Sequence, residues 1–404
     1  MSFLAYDDSV ERLLALDTGP VRFENVPLPD ALGRILAQDI VADEDYPRHP
    51  TAAMDGYAIR AEDQKGGRIA VARRDNPAGG SADEAVSRGI AVKTFTGAKM
   101  PAGADTLIPV ENVTVEGDTI RIDEAVPRGF SVRPVGESYF EGDVLIAKGT
   151  KIGFAETGVL AGLGRVMIAV ARRPRVGILS TGSEILDLGE SARTASQIRS
   201  SNNYTLAALA GQCGAEAVQL GIAKDDKKSI TEAFENALST SDIVVSTGGV
   251  SVGDYDFVKT VVPALGAEVV YKGVRIKPGQ HIMVARRGAQ LIFALPGFAY
   301  SSTVTFILYV VPIVRKMLGL DPHLPMVEAT LAEPFAKRSK KTEFTACNLR
   351  LEEDRCTVDF TDKKVGTSAI LTNMLGPVGL MVTDESDGSL DAGTKVRVIR
   401  LDAL

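Results

Sequence analysis

The sequence predicts a multidomain protein of α/β class with additional all-β modules, its largest module a doubly wound, mostly parallel sheet flanked by helices. Three features predict this. Short apolar runs alternate with helix-length segments from Arg172 to Leu318. Short runs broken by Gly, Pro, Asn and Asp fill residues 40–170. After the Pro-containing linker Asp321–Pro325, residues Glu328–Leu404 return to short strands and turns, which predicts a small all-β tail.

The first helix candidate is Asp8–Leu16, with Val10, Leu13 and Leu14 on one face and Asp7, Asp8 or Ser9 available to cap it. A short second candidate is Asp30–Ala37, with Leu32, Ile35 and Leu36 on one side. From Ile40 the pattern changes to Arg68–Ala72, Ala91–Phe95, Thr106–Val110, Thr119–Ile122 and Val144–Ala147. Turn clusters such as Asn76-Pro77, Gly79-Gly80 and Glu116-Gly117-Asp118 separate these runs, so they read as strands of β-rich modules. At Arg172-Arg173-Pro174 the alternation begins. Val176–Ser180, Ala217–Ala223, Asp242–Ser246 and Gln290–Leu295 read as strands. Asn202–Gln212, Ser229–Leu238, a segment from Phe257 and the apolar Ser301–Leu318 read as helices. Such alternation predicts parallel strands joined by right-handed crossovers, with helices on both faces.

The 404 residues are 45% apolar and 24% charged, the composition of a soluble globular protein. Lys+Arg 45 against Asp+Glu 52 leaves a net charge of −7. No basic excess exists to neutralise a nucleic-acid backbone or to hold an anionic membrane. The longest apolar stretch, near Val304–Val314, is interrupted by Pro312 and falls short of the roughly 20 residues a membrane span takes. Met1–Val10 carries Asp7 and Asp8 and lacks the basic start of a secretory signal. Cys213, Cys347 and Cys356 are odd in number and far apart, so no disulfide framework is expected and a cytoplasmic location is. His49, His281 and His323 show no zinc spacing. Chemistry must rest on carboxylates, lysines, backbone amides and a hard cation.

In an open parallel sheet, ligands bind beyond the carboxyl ends of the strands. The loops that reach this edge carry Thr181, Gly182, Glu184, Asp225, Asp226, Gly248, Gly249, Ser251, Asp254 and Asp256. Carboxylates held together repel unless they share a cation or proton. Mg²⁺ takes one or two carboxylates plus phosphate oxygens and waters. Thr247-Gly248-Gly249, between a strand and a helix, can bring backbone N–H groups close to a phosphate. Together these features suggest a phosphorylated or nucleotide-linked ligand. Each also has an ordinary reading. Asp225-Asp226 and Asp254 with Asp256 suit the first turns of helices. Lys277-Pro278-Gly279 suits a solvated turn, Pro296-Gly297 a helix start, and Asp55-Gly56 a turn before a strand.

The segments Ala53-Met54-Asp55-Gly56-Tyr57-Ala58, Thr96-Gly97, Pro101-Ala102-Gly103-Ala104-Asp105, Ser180-Thr181-Gly182-Ser183-Glu184, Ser246-Thr247-Gly248-Gly249-Val250-Ser251-Val252-Gly253, Ile276-Lys277-Pro278-Gly279 and Leu295-Pro296-Gly297 occur in that order. In them the chain resembles the molybdopterin molybdotransferase family, that is, bacterial MoeA proteins and the E domain of gephyrin. The resemblance covers about residues 27–320 and is weaker in the tail. MDGYA combined with GGVSxG is specific, whereas a lone TGG would also fit smaller molybdopterin-binding relatives.

The resemblance implies a connecting domain built from residues 1–44 and 139–170. It further implies an inserted β-rich domain at 45–138, an α/β molybdopterin-binding domain at 171–323 and a C-terminal β-barrel domain at 324–404. It implies molybdenum cofactor biosynthesis, in which molybdate is inserted into adenylylated molybdopterin and AMP is released, with Mg²⁺ as cofactor. Glu184, Asp225 and Asp256 match family acids of the metal and pterin-phosphate cleft, and Asp55 matches an acid supplied by a partner subunit. Thr96, Thr181, Gly182, Ser183, Gly248, Gly249, Ser251, Lys277, Pro296 and Gly297 match substrate-binding positions, with Lys277 on molybdate or phosphate. The implied partners are adenylylated molybdopterin, molybdate, a second copy in a homodimer with a shared cleft, and the molybdopterin adenylyltransferase. No nucleic acid or membrane is implied. The chain departs from the family at Ser138, where an acid is usual and Glu137 is its neighbour, and at Gln280, where lysine is usual. Phe298 and Ala299 replace the Asn and Pro of the PGNPxS loop, and Tyr300 or His281 is expected to line the altered pocket. A molybdopterin adenylyltransferase and a catalytically altered molybdopterin-binding scaffold are the alternatives.

Overall fold

The structure is a computed structural model and describes residues 3–81, 84–250, 257–352 and 355–404. The chain divides into two compact units, Met1–Ala37 with Met167–Leu404, and Gln38–Val166.

The first unit is built on a six-stranded sheet. Its strands are β1 (Arg175–Thr181), β2 (Glu216–Ala223), β3 (Ile243–Thr247), β4 (Glu268–Lys272), β5 (Met283–Arg287) and β6 (Gln290–Leu295), in the order β2-β1-β3-β6-β5-β4. β2, β1, β3 and β6 pair in parallel, while β5 is antiparallel to both of its neighbours. The sheet is therefore mostly parallel, as expected, with one reversed strand. β3 is buried throughout. Ile243 and Val245 enter one core and Val244 the other, which is why the run is apolar without alternation. Helix α1 (Asn202–Gln212) packs Leu206 and Ala210 into the first core. Helices α2 (Lys227–Thr240) and α3 (Val258–Ala264) cover the other face with Ile230, Phe234, Val258 and Val261.

The apolar helix after β6 runs through Ala299–Thr305, Phe306–Val310 and Val311–Met317. Its middle five residues take π geometry just before Pro312, whose ring nitrogen has no N–H to donate. Beyond it, Thr342–Glu352 pairs with Arg355–Asp359, which pairs with Met326–Leu331. That strand pairs with Lys395–Arg400, which pairs with Val378–Thr383, and Val378–Thr383 returns to Thr342–Glu352. These pairings close a five-stranded barrel. The two-residue strand Ile276–Lys277 pairs with Thr342 and Glu343, fastening the α/β module to the barrel.

Two expectations are corrected, and three elements had not been expected. The first helix is Tyr6–Leu14, and its cap position is Ala5, not Asp7, Asp8 or Ser9. Asp30–Ala37 is not a helix, because Gly33 sits at φ +74 and Leu36 bridges to Val170. Strands β4 and β5 and the helix Phe154–Gly162 carried no clear signal in the sequence.

In the second unit, six strands lie in the order Thr106–Pro109, Gly56–Ile59, Ile90–Thr94, Arg68–Val71, Thr119–Ile122 and Val113–Glu116. Alternation along Gly56–Ile59 sends Ala58 to one core and Tyr57 and Ile59 to the other. Ile40–Val41 pairs with Val144–Ile146, and Tyr46 bridges to Tyr139, so the flanks of this segment lie together.

Candidate active site

At the carboxyl ends of β1, β2, β3 and β6 lies a cleft of about 840 Å³. Its walls include Thr181, Gly182, Glu184, Asp225, Gly248, Gly249, Lys277, Pro296 and Gly297, nine of the positions singled out in the sequence. It is the switch-point edge of the sheet, where crossovers diverge and leave a crevice.

Backbone geometry explains the glycines. Gly248 and Gly249 adopt φ +91 and +67, and a Cβ on Gly248 would stand 2.8 Å from Thr181 O. Only glycine lets the loop after β3 lie this close to the end of β1. Side chains lock the same strands. Ser180 Oγ donates to Asn203 Oδ1 at 2.6 Å and lies 3.0 Å from Thr247 Oγ1.

The two adjacent acids after β2 have different tasks. Asp226 is the N-cap of α2 and accepts from Ser229 N–H at 2.8 Å and from Ser229 Oγ at 2.6 Å. These bonds hold its carboxyl below the usual carboxylate range. Asp225 lines the cleft, and its Oδ2 accepts the Ser183 N–H at 2.9 Å, while its own N–H donates to Ser183 Oγ at 3.3 Å. Ser183 thus fixes Asp225 across two loops. Its other carboxylate oxygen has no hydrogen bond among the described residues. Glu184 is exposed on the same cleft, and its carbonyl accepts from Ile198 N–H at 2.9 Å.

No group of three His, Cys, Asp or Glu ligands is assembled for a metal among the described residues. Asp256 and Ser251, with Asp254, lie outside them. Glu184 and Asp225 both line the cleft, and Mg²⁺ takes one or two carboxylates together with phosphate oxygens and waters, so oxygen donors of the kind it needs are present.

The cationic wall comes from two modules. Lys277 Nζ lies 3.4 Å from Glu343 Oε1 in the barrel, so it is paired and not merely a solvated turn lysine. Gln280 Nε2 lies 2.8 Å from His281 Nε2, and Lys341 of the barrel reaches Gln280 Oε1. His281 lines the cleft. Tyr300 does not. It is buried, donates from its hydroxyl to Phe344 O at 3.0 Å and accepts the Ala346 N–H at 2.8 Å. Burial pushes that phenol well up. Phe298, singled out in the sequence as a departure, lines the cleft, whereas Lys341, Ser368, Ala369, Arg199 and Ser200 line it and were not read as site residues from the sequence. Ser-Ser-Asn at the start of α1 was the available signal for Ser200.

Asp55 and Thr96 belong to the second unit. Asp55 Oδ1 accepts both the Thr96 N–H at 2.8 Å and the Thr96 hydroxyl at 2.6 Å, which holds this exposed carboxyl below the usual range. Glu137 pairs with Arg133, whose Nη2 donates to Ser138 Oγ at 3.4 Å.

Residues 4–164 match the family described as MoeA N-terminal region (domain I and II), and residues 177–316 match a probable molybdopterin binding domain. The chain is 34% identical over 340 residues to the molybdopterin molybdenumtransferase of Staphylococcus epidermidis, covering 83% of this chain and 81% of that one. It is 38% identical over 307 residues to the enzyme of the same name from Nostoc sp., covering 74% and 70%. The crystal structure of the molybdopterin biosynthesis MoeA protein from Pyrococcus horikoshii OT3 superposes with a TM-score of 0.80 at 30% identity, covering 99% of this chain and 100% of that one. The chain therefore belongs to the molybdopterin molybdenumtransferase family and is an enzyme of molybdenum cofactor biosynthesis.

Proposed function

We propose that the enzyme inserts molybdate into adenylylated molybdopterin and releases AMP. The observation that carries this reading is one cleft holding two carboxylates, Glu184 and Asp225, beside the Gly248-Gly249 loop and the lysines Lys277 and Lys341. Acids for a cation, amides for phosphate and lysines for a second oxyanion match a substrate pair made of a pyrophosphate and molybdate. Glu184 and Asp225 would hold Mg²⁺, with Asp256 as a further ligand. When bound, the ion supplies charge neutralisation and Lewis-acid assistance at the pyrophosphate. Ser183 keeps Asp225 oriented, Thr181 and Gly182 shape the approach to the phosphates, and Lys277 offsets the charge of the bound anion.

The test is direct. The protein is incubated with adenylylated molybdopterin, Mg²⁺ and molybdate. Molybdenum cofactor plus AMP supports this reading. Formation of the adenylate from molybdopterin and ATP would identify an adenylyltransferase instead, and binding with neither product a scaffold.

We further propose that two copies assemble as a homodimer, each cleft completed by Asp55 and Thr96 of the partner copy, and that the molybdopterin adenylyltransferase delivers substrate to it. The four-part division at 1–44 with 139–170, 45–138, 171–323 and 324–404 belongs to the same reading. The pairing of Ile40–Val41 with Val144–Ile146 supports it. Mixing Asp55→Ala with Glu184→Ala tests the shared cleft. Each variant alone is inactive, and random exchange makes half the dimers mixed with one intact cleft, so about a quarter of wild-type activity returns. No recovery on mixing would place both acids within one copy.

A further inference from the structure

Helix α1 begins on the cleft, with no side chain capping its start and both asparagines of its first turn engaged elsewhere. Ser201, at the cap position, makes no side-chain hydrogen bond to the helix. Asn202 Nδ2 donates to Gly297 O at 2.8 Å. Asn203 is buried, accepts from Ser180 Oγ at 2.6 Å and donates from Nδ2 to Gly221 O at 3.1 Å. These three bonds fasten the first turn to the ends of β1 and β2 and to the loop after β6. They leave its leading N–H groups without a side-chain acceptor among the described residues.

Ser200, immediately before the cap, gives an independent sign. It lines the cleft, is 7% exposed, and its Oγ has no hydrogen-bond partner among the described residues. A buried hydroxyl left unpaired in the wall of a cleft marks a place where a partner comes from outside. Arg199, on the same lining, adds positive charge. Orphan N–H groups and the aligned peptide dipoles of an 11-residue helix favour a negative charge at its start.

We infer that Ser200, Ser201 and the first-turn amides of α1 form an oxyanion subsite, distinct from the Gly248-Gly249 loop, that takes a tetrahedral dianion. It deepens the function proposed above and rests on that reading only for which dianion arrives, a phosphate group or molybdate. Because the amides are held before the ligand binds, little ordering opposes binding.

Two variants of the full chain test this. Ser201→Asp places a carboxylate at the cap, where it accepts the same N–H groups and repels an incoming anion. Ser200→Ala removes the unpaired hydroxyl. Inorganic phosphate, AMP and molybdate are titrated separately by calorimetry. Ser201→Asp is expected to melt at the same or a higher temperature yet lose about tenfold or more in affinity for the occupying anion. Ser200→Ala is expected to lose roughly three- to tenfold for that same anion. Loss for phosphate and AMP identifies a phosphate subsite, and loss for molybdate alone a molybdate subsite. Unchanged affinity of both variants for all three anions, or no binding by the wild type, overturns the inference. Should Ser201→Asp melt at a lower temperature, Ser200→Ala alone decides. Turnover is not the readout. An enzyme that releases no AMP but shows these losses keeps the subsite and refutes the reaction, and the opposite pattern does the reverse.

Discussion

Thr96 sets the protonation of Asp55 through two hydrogen bonds from one residue. Thr96→Val removes the hydroxyl bond, so the Asp55 titration midpoint should rise toward the ordinary aspartate value of about 3.9, read by carboxyl NMR. The sign follows from linkage. A carboxyl depressed in the folded state adds stability above its unfolded pKa and loses it as pH falls through the folded value. Thr96→Val should therefore flatten the acid limb of stability below about pH 4. Cys347 lies in the opposite regime, since burial pushes its thiol up to about 12. In the native protein at about pH 8 it should resist alkylation, while all three cysteines label once the chain is unfolded, as mass spectrometry would show. At this scale the sequence was legible for residue type and not for task. Asp225 and Asp226 are the same residue side by side, and nothing in the sequence says which caps a helix. Their division rests on Ser229, which captures Asp226, and on Ser183, which holds Asp225 in the cleft.

Elements were legible where periodicity and punctuation agreed. The predicted bounds of α1 and β6 coincide with those observed, β2 differs by one residue at its start, and β1 and β3 differ by one residue at each end. Asp30–Ala37 failed because helical spacing of Leu32, Ile35 and Leu36 was overridden by Gly33 and by the bridge from Leu36. β4 and β5 were missed because each is a short run with charged residues at one or both ends, Glu268–Lys272 and Met283–Arg287. A contrast within one loop tests the assignment of the acids. Asp226→Ala removes the cap of α2, and the melting temperature should fall by about 2–4 °C with cofactor formation retained. Asp225→Asn keeps the helix and should lower cofactor formation on the order of a hundredfold. If Asp226→Ala instead abolishes turnover at unchanged stability, the roles are reversed.

At the scale of the whole first unit, the tail beyond the linker Asp321–Pro325 packs into the same core as the sheet. Phe344, Leu380 and Ile399 of the barrel share one core with Ile178, Val245 and Phe293 of the sheet. The helix through Phe306–Val310, fully buried, belongs to that same core. Composition cannot show which apolar faces meet, so neither this shared core nor the barrel's Lys341, Ser368 and Ala369 in the cleft could be read ahead of the structure. The consequence is energetic. Phe344 is 1% exposed and packs its ring against Tyr6 at 4.9 Å. Phe344→Ala removes that ring from the common core and should cost about 3–5 kcal/mol. Because the core is shared, hydrogen exchange should quicken alike in Val378–Thr383 and in β3, and one unfolding transition should report both. Exchange that quickens in the barrel while β3 keeps its protection would show that the two modules open separately, and the cleft wall bearing Lys341 and Ser368 would then be free to part from the sheet edge.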